Sequence, residues 1–245
     1  MDIKIPYTPR KHQAYLHKKI SENRWNVLVC HRRFGKTVCM INHLIRSALL
    51  SKNKNPRYAY IAPTFKQAKS IAWDYMKQFT AKIPYTKFNE TELRVDLPNG
   101  SRITLLGSEN SDGLRGIYLD GCVIDEYANV NERLFPEIIR PALSDRKGYC
   151  VFIGTPQGMN NNFYELYQHA QGADDWFNYK AKASDTKIVD NEELVKAKEV
   201  MGEKKYQQEF ECDWIANIEG AVYSDVLAKM EDQKQLTRVP YDPSL

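Results

Sequence analysis

A short apolar run, Val27-Leu28-Val29, leads through Cys30-His31-Arg32-Arg33-Phe34 into Gly35-Lys36-Thr37, and a helical pattern follows at once. A buried strand, this basic loop ending in Gly-Lys-Thr and a helix in that order have the layout of a phosphate-binding loop. Backbone N–H groups of Arg33, Phe34 and Gly35 at a helix N-terminus would surround phosphate oxygens. Lys36 would reach the β and γ oxygens of ATP, and the Thr37 hydroxyl would ligate Mg2+. The pattern G-x-x-x-x-G-K-S/T is broken once, where Cys30 takes the place of the first glycine.

Phosphoryl transfer needs a second part, and the chain has a candidate. The apolar run Cys122-Val123-Ile124 ends in Asp125-Glu126. Ligands of open α/β sheets bind beyond the carboxyl ends of strands. Asp125 would therefore sit at a strand tip near Thr37 and hold Mg2+ directly or through water. Glu126 would face the γ-phosphate and polarise the attacking water.

The remaining patterns describe a chain of alternating strands and helices. Helices are expected over 8–22, opened by Thr8-Pro9, and over 36–51, 65–81 and 160–171. Buried strands are expected at 58–62, 119–125 and 149–153. A hairpin is expected where 92–97 and 101–106 flank Pro98-Asn99-Gly100. Residues 131–143 read as partly helical, interrupted by Pro136 and Pro141, and Ala183-Ser-Asp-Thr-Lys187 as loop. Two charged helices, 190–201 and 202–213, read either as a small lid or as a further helical layer of the same domain. The expected fold is α/β, a RecA-like P-loop NTPase with a mainly parallel sheet between helices. Its divisions are a core over 1–180, a lid over 181–235 and a linker over 236–245 that leads toward a domain outside this chain.

Composition excludes more than it assigns. No apolar run approaches the length of a membrane-spanning helix, and the first residues lack an apolar signal-peptide core. The five cysteines form no CxxC pair, and those in apolar runs read as small buried hydrophobes. His31 reads as an exposed loop residue. A net charge of +4, with clusters such as Arg10-Lys11, Arg32-Arg33, Lys52-Asn-Lys54 and Lys204-Lys205, permits a polyanionic partner without proving one.

Taken together, these motifs resemble the N-terminal ATPase domain of the large terminase subunit of tailed bacteriophages. The resemblance rests on Arg32-Arg33-Phe34-Gly35-Lys36-Thr37, Leu114-Arg115-Gly116, Asp125-Glu126 and Gly154-Thr-Pro-Gln-Gly158. In that family the loop often lacks its first glycine. The resemblance implies that Gln13 reads the adenine edge, although an ordinary surface glutamine is the alternative. It implies that Arg32 senses the γ-phosphate; Arg33 is counted among the nucleotide-binding residues, a solvated neighbour being the alternative. It implies that Arg115 acts as an arginine finger in trans, a structural loop arginine being the alternative, and that Thr155 couples hydrolysis to DNA grip. It further implies a ring of copies on a portal, with a small terminase subunit and double-stranded DNA as partners. The expected setting is the host cytoplasm during virion assembly, transiently at the procapsid. The nuclease half of such proteins is not expected here, because after residue 215 the acidic residues Asp225, Glu231, Asp232 and Asp242 have no strand framework. Two other readings share the motifs: a superfamily-two helicase-like translocase, and a catalytically silent nucleotide-gated assembly module.

Overall fold

A computed structural model describes residues 5–215 and Met230. The expected linker over 236–245, most of the lid range beyond 215, and Asp225, Glu231, Asp232 and Asp242 lie outside these residues. In chain order the elements begin with α1 (Lys11–Glu22), β1 (Trp25–Cys30), α2 (Lys36–Leu50) and β2 (Arg57–Ala62). Next come α3 (Phe65–Ala68), a π turn (Lys69–Trp73) and α4 (Asp74–Thr80), which run on as one helix. Strands β3 (Lys87–Asn89), β4 (Arg94–Asp96), β5 (Arg102–Gly107) and β6 (Gly121–Asp125) follow. A π turn (Leu134–Ile139), α5 (Arg140–Ala142), β7 (Tyr149–Gly154), α6 (Asn162–Gln171) and β8 (Trp176–Ala181) come next. The described helices end with α7 (Ala183–Thr186), α8 (Asn191–Met201) and α9 (Glu203–Glu209).

The strands form one sheet in the order β3-β4-β5-β2-β6-β7-β1-β8. Pairing is parallel from β5 to β8, and β3 and β4 add an antiparallel edge. Strand β7 therefore lies between the strand that feeds the phosphate loop and the strand that carries the two carboxylates. Leu28 and Asp125 both pair with Ile153. Two strand spacings, about 10 Å, separate the two strand ends. That gap is where the loop, β7 and the acidic tip converge.

Strand residues alternate between two cores, as a period of two requires. Leu28, Cys30, Tyr60, Val123 and Ile153 face α1, α2 and α4. Trp25, Val27, Val29, Ile124 and Phe152 face α6, the 134–139 turn and Trp214. A sheet buried on both faces explains why its central strands read as unbroken apolar runs. A third, smaller cluster joins Ala183 of α7, Leu194 of α8 and Phe210, the residue that caps α9.

The hairpin forms as expected: Gly100 takes φ +82°, Leu97 N–H donates to the Ser101 carbonyl at 2.8 Å, and Asp96 pairs opposite Arg102. Other expectations need correction. Helix α1 begins at Lys11, not Thr8, because the Gln13 side chain accepts from Arg10 N–H at 2.9 Å and closes the helix start there. Pro136 and Pro141 do not interrupt their segment. Pro136 lies in the first turn of the π turn, where an N–H has no intrahelical partner, and Arg140 N–H reaches back to Phe135 across that wider turn. Residues 183–186 are helical rather than loop, ending at Lys187 with φ +51°. Strands β3 and β8 were not expected at all. All five cysteines are buried and free. Among the described residues, no helix is long and apolar enough to cross a membrane.

Candidate active site

The loop between β1 and α2 is pinned from below. His31 was expected to be exposed, but it is fully buried: its Nε2 meets Thr186 Oγ1 at 2.8 Å and its Nδ1 meets the Arg32 carbonyl at 2.6 Å. Phe34 is also fully buried, edge-on to the His31 ring. Its side chain therefore belongs to the core, and only its backbone can face a phosphate. Arg33 and Gly35 take the left-handed turns, with φ +70° and +88°. Cys30 does not. It is the last residue of β1, extended and paired with Ala181, so the site of the missing glycine makes no demand that only glycine meets. Burial pushes the Cys30 thiol well up, which keeps it neutral.

Lys36 curls over this loop. Its Nζ donates to the Cys30 carbonyl at 3.1 Å, the His31 carbonyl at 3.4 Å and Thr155 Oγ1 at 3.0 Å. The third bond links the loop to the end of β7, where Thr155 is buried. Beside it, the Tyr60 hydroxyl donates to Asp125 Oδ2, and Thr37 follows Lys36 in the first turn of α2. Asp125 Oδ1 accepts from Glu126 N–H at 3.0 Å. Burial raises the Asp125 pKa, opposed by the Tyr60 hydrogen bond and the Lys36 charge.

Glu126 is held in a left-handed conformation, φ +47°. Such backbone costs about 1–3 kcal/mol and tends to mark functional sites. Its carboxyl is pushed up to about 7, first by burial and next by the Asp125 charge, with Lys36 opposing. The arrangement provides a cation over a loop of backbone donors, a hydroxyl and a carboxylate with oxygen ligands suited to Mg2+, and a second carboxylate poised near neutrality. The all-oxygen donor set of Thr37 and Asp125 fits a hard divalent cation.

The other expected residues fall around this cluster. Gln13 is buried rather than a surface glutamine, and its Nε2 donates to the Gly35 carbonyl at 3.3 Å. Arg32 is exposed, with its N–H on the Glu209 carbonyl at 2.7 Å and its Nη1 3.9 Å from the Glu209 carboxylate. Arg115 stands on a separate loop, paired with Glu137 at 3.4 Å. Sequence reasoning missed Tyr60, Thr186, Gln208 and Glu209. Gln208 donates to the Pro156 carbonyl at 2.6 Å, so α9 touches both the phosphate loop and the loop after β7. No local motif announces these residues, because each acts across a long-range contact.

A family model described as terminase large subunit, T4likevirus-type, N-terminal, matches residues 30–227. The curated large terminase subunits of Thermus phage G20c and Thermus virus P23-45 are each 26% identical over 182 residues, covering 66% of this chain. The chain spans about a third of the length of these relatives, 36% of each. The large terminase ATPase domain of Thermus phage P74-26 superposes with a TM-score of 0.72 at 22% identity, covering 86% of this chain and 95% of that one. The large terminase of another thermophilic bacteriophage, in complex with ADP, gives a TM-score of 0.72 at 17% identity, covering 83% and 53%. These likenesses show a shared fold.

Proposed function

The chain belongs to the T4likevirus-type terminase large-subunit family, matching its N-terminal region, and we propose that it is the ATP-hydrolysing part of a motor driving double-stranded DNA into a viral procapsid. The observation that carries this reading is that Lys36, next to Thr37 at the start of α2, bonds Thr155 at the end of the sheet where Tyr60 holds Asp125. Those groups match what phosphoryl transfer requires: positioning and charge stabilisation. Mg2+, held by Thr37 and Asp125, would neutralise phosphate charge.

In this reading the backbone of residues 33–35 binds phosphate oxygens and Lys36 moves from its carbonyl partners to the β and γ oxygens. Glu126 orients the water for in-line attack. Gln13 reads the adenine edge. Arg32, next to the loop, senses the γ-phosphate. Thr155, already bonded to Lys36, reports nucleotide state along β7. Arg115 serves a neighbouring copy as a finger, stabilising charge that develops in the transition state. The helices of 181–215, bonded to the loop through Glu209, act as a lid.

The partners that follow are double-stranded DNA, a portal protein, a small terminase subunit and further copies of this chain in a ring. The setting is the host cytoplasm during assembly, transiently at the procapsid portal. DNA contact to phosphates alone would suit packaging that ignores sequence, and it would weaken steeply with salt. The helicase-like alternative gives way to the family match. The test is ATP binding and turnover. Lys36→Ala removes binding if the reading holds, and unchanged nucleotide affinity contradicts it.

A further inference from the structure

We propose that Tyr60 is the positioning residue for the divalent cation of this site. From the neighbouring strand, its buried hydroxyl holds the Asp125 carboxylate in orientation for the cation. The inference rests on the nucleotide-site reading above.

The placement follows from register. Strand β2 pairs with β6, and Tyr60 stands opposite Val123. Both belong to the core that faces α2. Asp125 lies two residues beyond Val123 and so points to the same face, where α2 also brings Thr37. Tyr60 is fully buried, with Leu28, Met40 and Ile153 in the same core. A phenylalanine would fill that core with nearly the same volume, so the hydroxyl needs its own explanation. A buried phenol must find a hydrogen-bond partner, and this one finds Asp125, a residue assigned to the cation.

The chemistry is that of an outer partner orienting metal ligands. Glu126 N–H holds one Asp125 oxygen and Tyr60 holds the other, which fixes the plane of the carboxylate. Each oxygen keeps a further lone pair for a cation. Outer partners of this kind are worth about 10–100-fold in metal affinity.

The test measures Mn2+ binding to the ADP-saturated protein by electron paramagnetic resonance, alongside ADP affinity in EDTA. The proteins are wild type, Tyr60→Phe, Asp125→Asn and the double variant. The expected result is Mn2+ affinity about 10–100-fold weaker in Tyr60→Phe, unchanged metal-free ADP affinity, and no further loss when Tyr60→Phe is added to Asp125→Asn. Wild-type Mn2+ affinity in Tyr60→Phe overturns the inference. So does an equal loss in the Asp125→Asn background, or a loss of ADP binding in EDTA, either of which makes Tyr60 merely structural. If the wild type binds ADP without taking up Mn2+, the cation assignment and this inference fail; if it binds no ADP at all, the nucleotide-site reading fails.

Discussion

The Lys36 ammonium donates to the Thr155 hydroxyl at 3.0 Å, across 119 residues of chain. This bond joins the start of α2 to the end of β7, the strand that separates the phosphate loop from the acidic strand tip. A nucleotide that draws Lys36 away must break it. In the proposed function, occupancy of the site would thereby be transmitted to the loop after β7, whose Pro156 carbonyl accepts from Gln208 of α9.

Thr155→Val removes this acceptor while keeping the shape. The expected outcome is nearly normal ATP binding, because Lys36 has phosphate oxygens to replace Thr155, with ATPase no longer responsive to DNA. ATPase rates with and without added DNA check it, and a wild-type DNA response would show that the bond carries no coupling.

Arg115→Ala should leave ATP binding intact and lower turnover by about 10³–10⁵-fold, the range for an arginine finger. If the arginine acts in trans, variant subunits should also inhibit wild-type subunits in mixtures. Full activity of Arg115→Ala alone would remove the finger role from Arg115.

The His17–His43 pair ties stability to pH. The rings stack 5.3 Å apart and their Nδ1 atoms meet at 3.1 Å. Burial is the first cause in both: it lowers His17 to about 4 and His43 to about 3, with Arg46 adding repulsion. Folded pKa values below the unfolded value near 6.5 mean that the unfolded chain binds more protons as pH falls. The stabilising effect of neutral imidazoles is therefore complete above about pH 6.5 and shrinks toward pH 4. The urea midpoint of the wild type should fall from pH 7 to pH 5, and that of His43→Gln should fall less. Equal falls in both would remove the pair from the pH dependence.

Thr186→Val should loosen the phosphate loop from beneath. It strips His31 Nε2 of its buried partner, and leaving such a group unsatisfied costs about 1–3 kcal/mol. Thermal unfolding checks the loss. An unchanged melting temperature would mean that the loop does not depend on this anchor.

The parts of the fold that were legible are those whose signal is local. Val27 to Val29, Cys122 to Ile124 and Cys150 to Ile153 are buried on both faces, and their sequences read as apolar runs. Gly100 is readable because the turn itself demands a positive φ. Strand β8 was illegible for the opposite reason. Trp176 to Lys180 are half-buried at a sheet edge, and Asn178 and Lys180 break any apolar run. The site divides in the same way. Lys36, Thr37, Asp125 and Glu126 carry their chemistry in short motifs. Tyr60 is one of two tyrosines in an ordinary strand, and its role depends on β2 lying beside β6. Glu209 reaches Arg32 only because α9 folds back onto the loop. His31 was misread because burial of a loop residue depends on Thr186, which lies 155 residues away.

The decisive measurement is steady-state ATP hydrolysis by the wild type and Glu126→Gln, with ATP binding measured on the same samples. Glu126 faces the site with a carboxyl raised to about 7, and its loss should leave binding intact while turnover falls by about 10²–10⁴-fold. A Glu126→Gln protein that hydrolyses ATP at the wild-type rate would contradict the assignment of hydrolysis to this site.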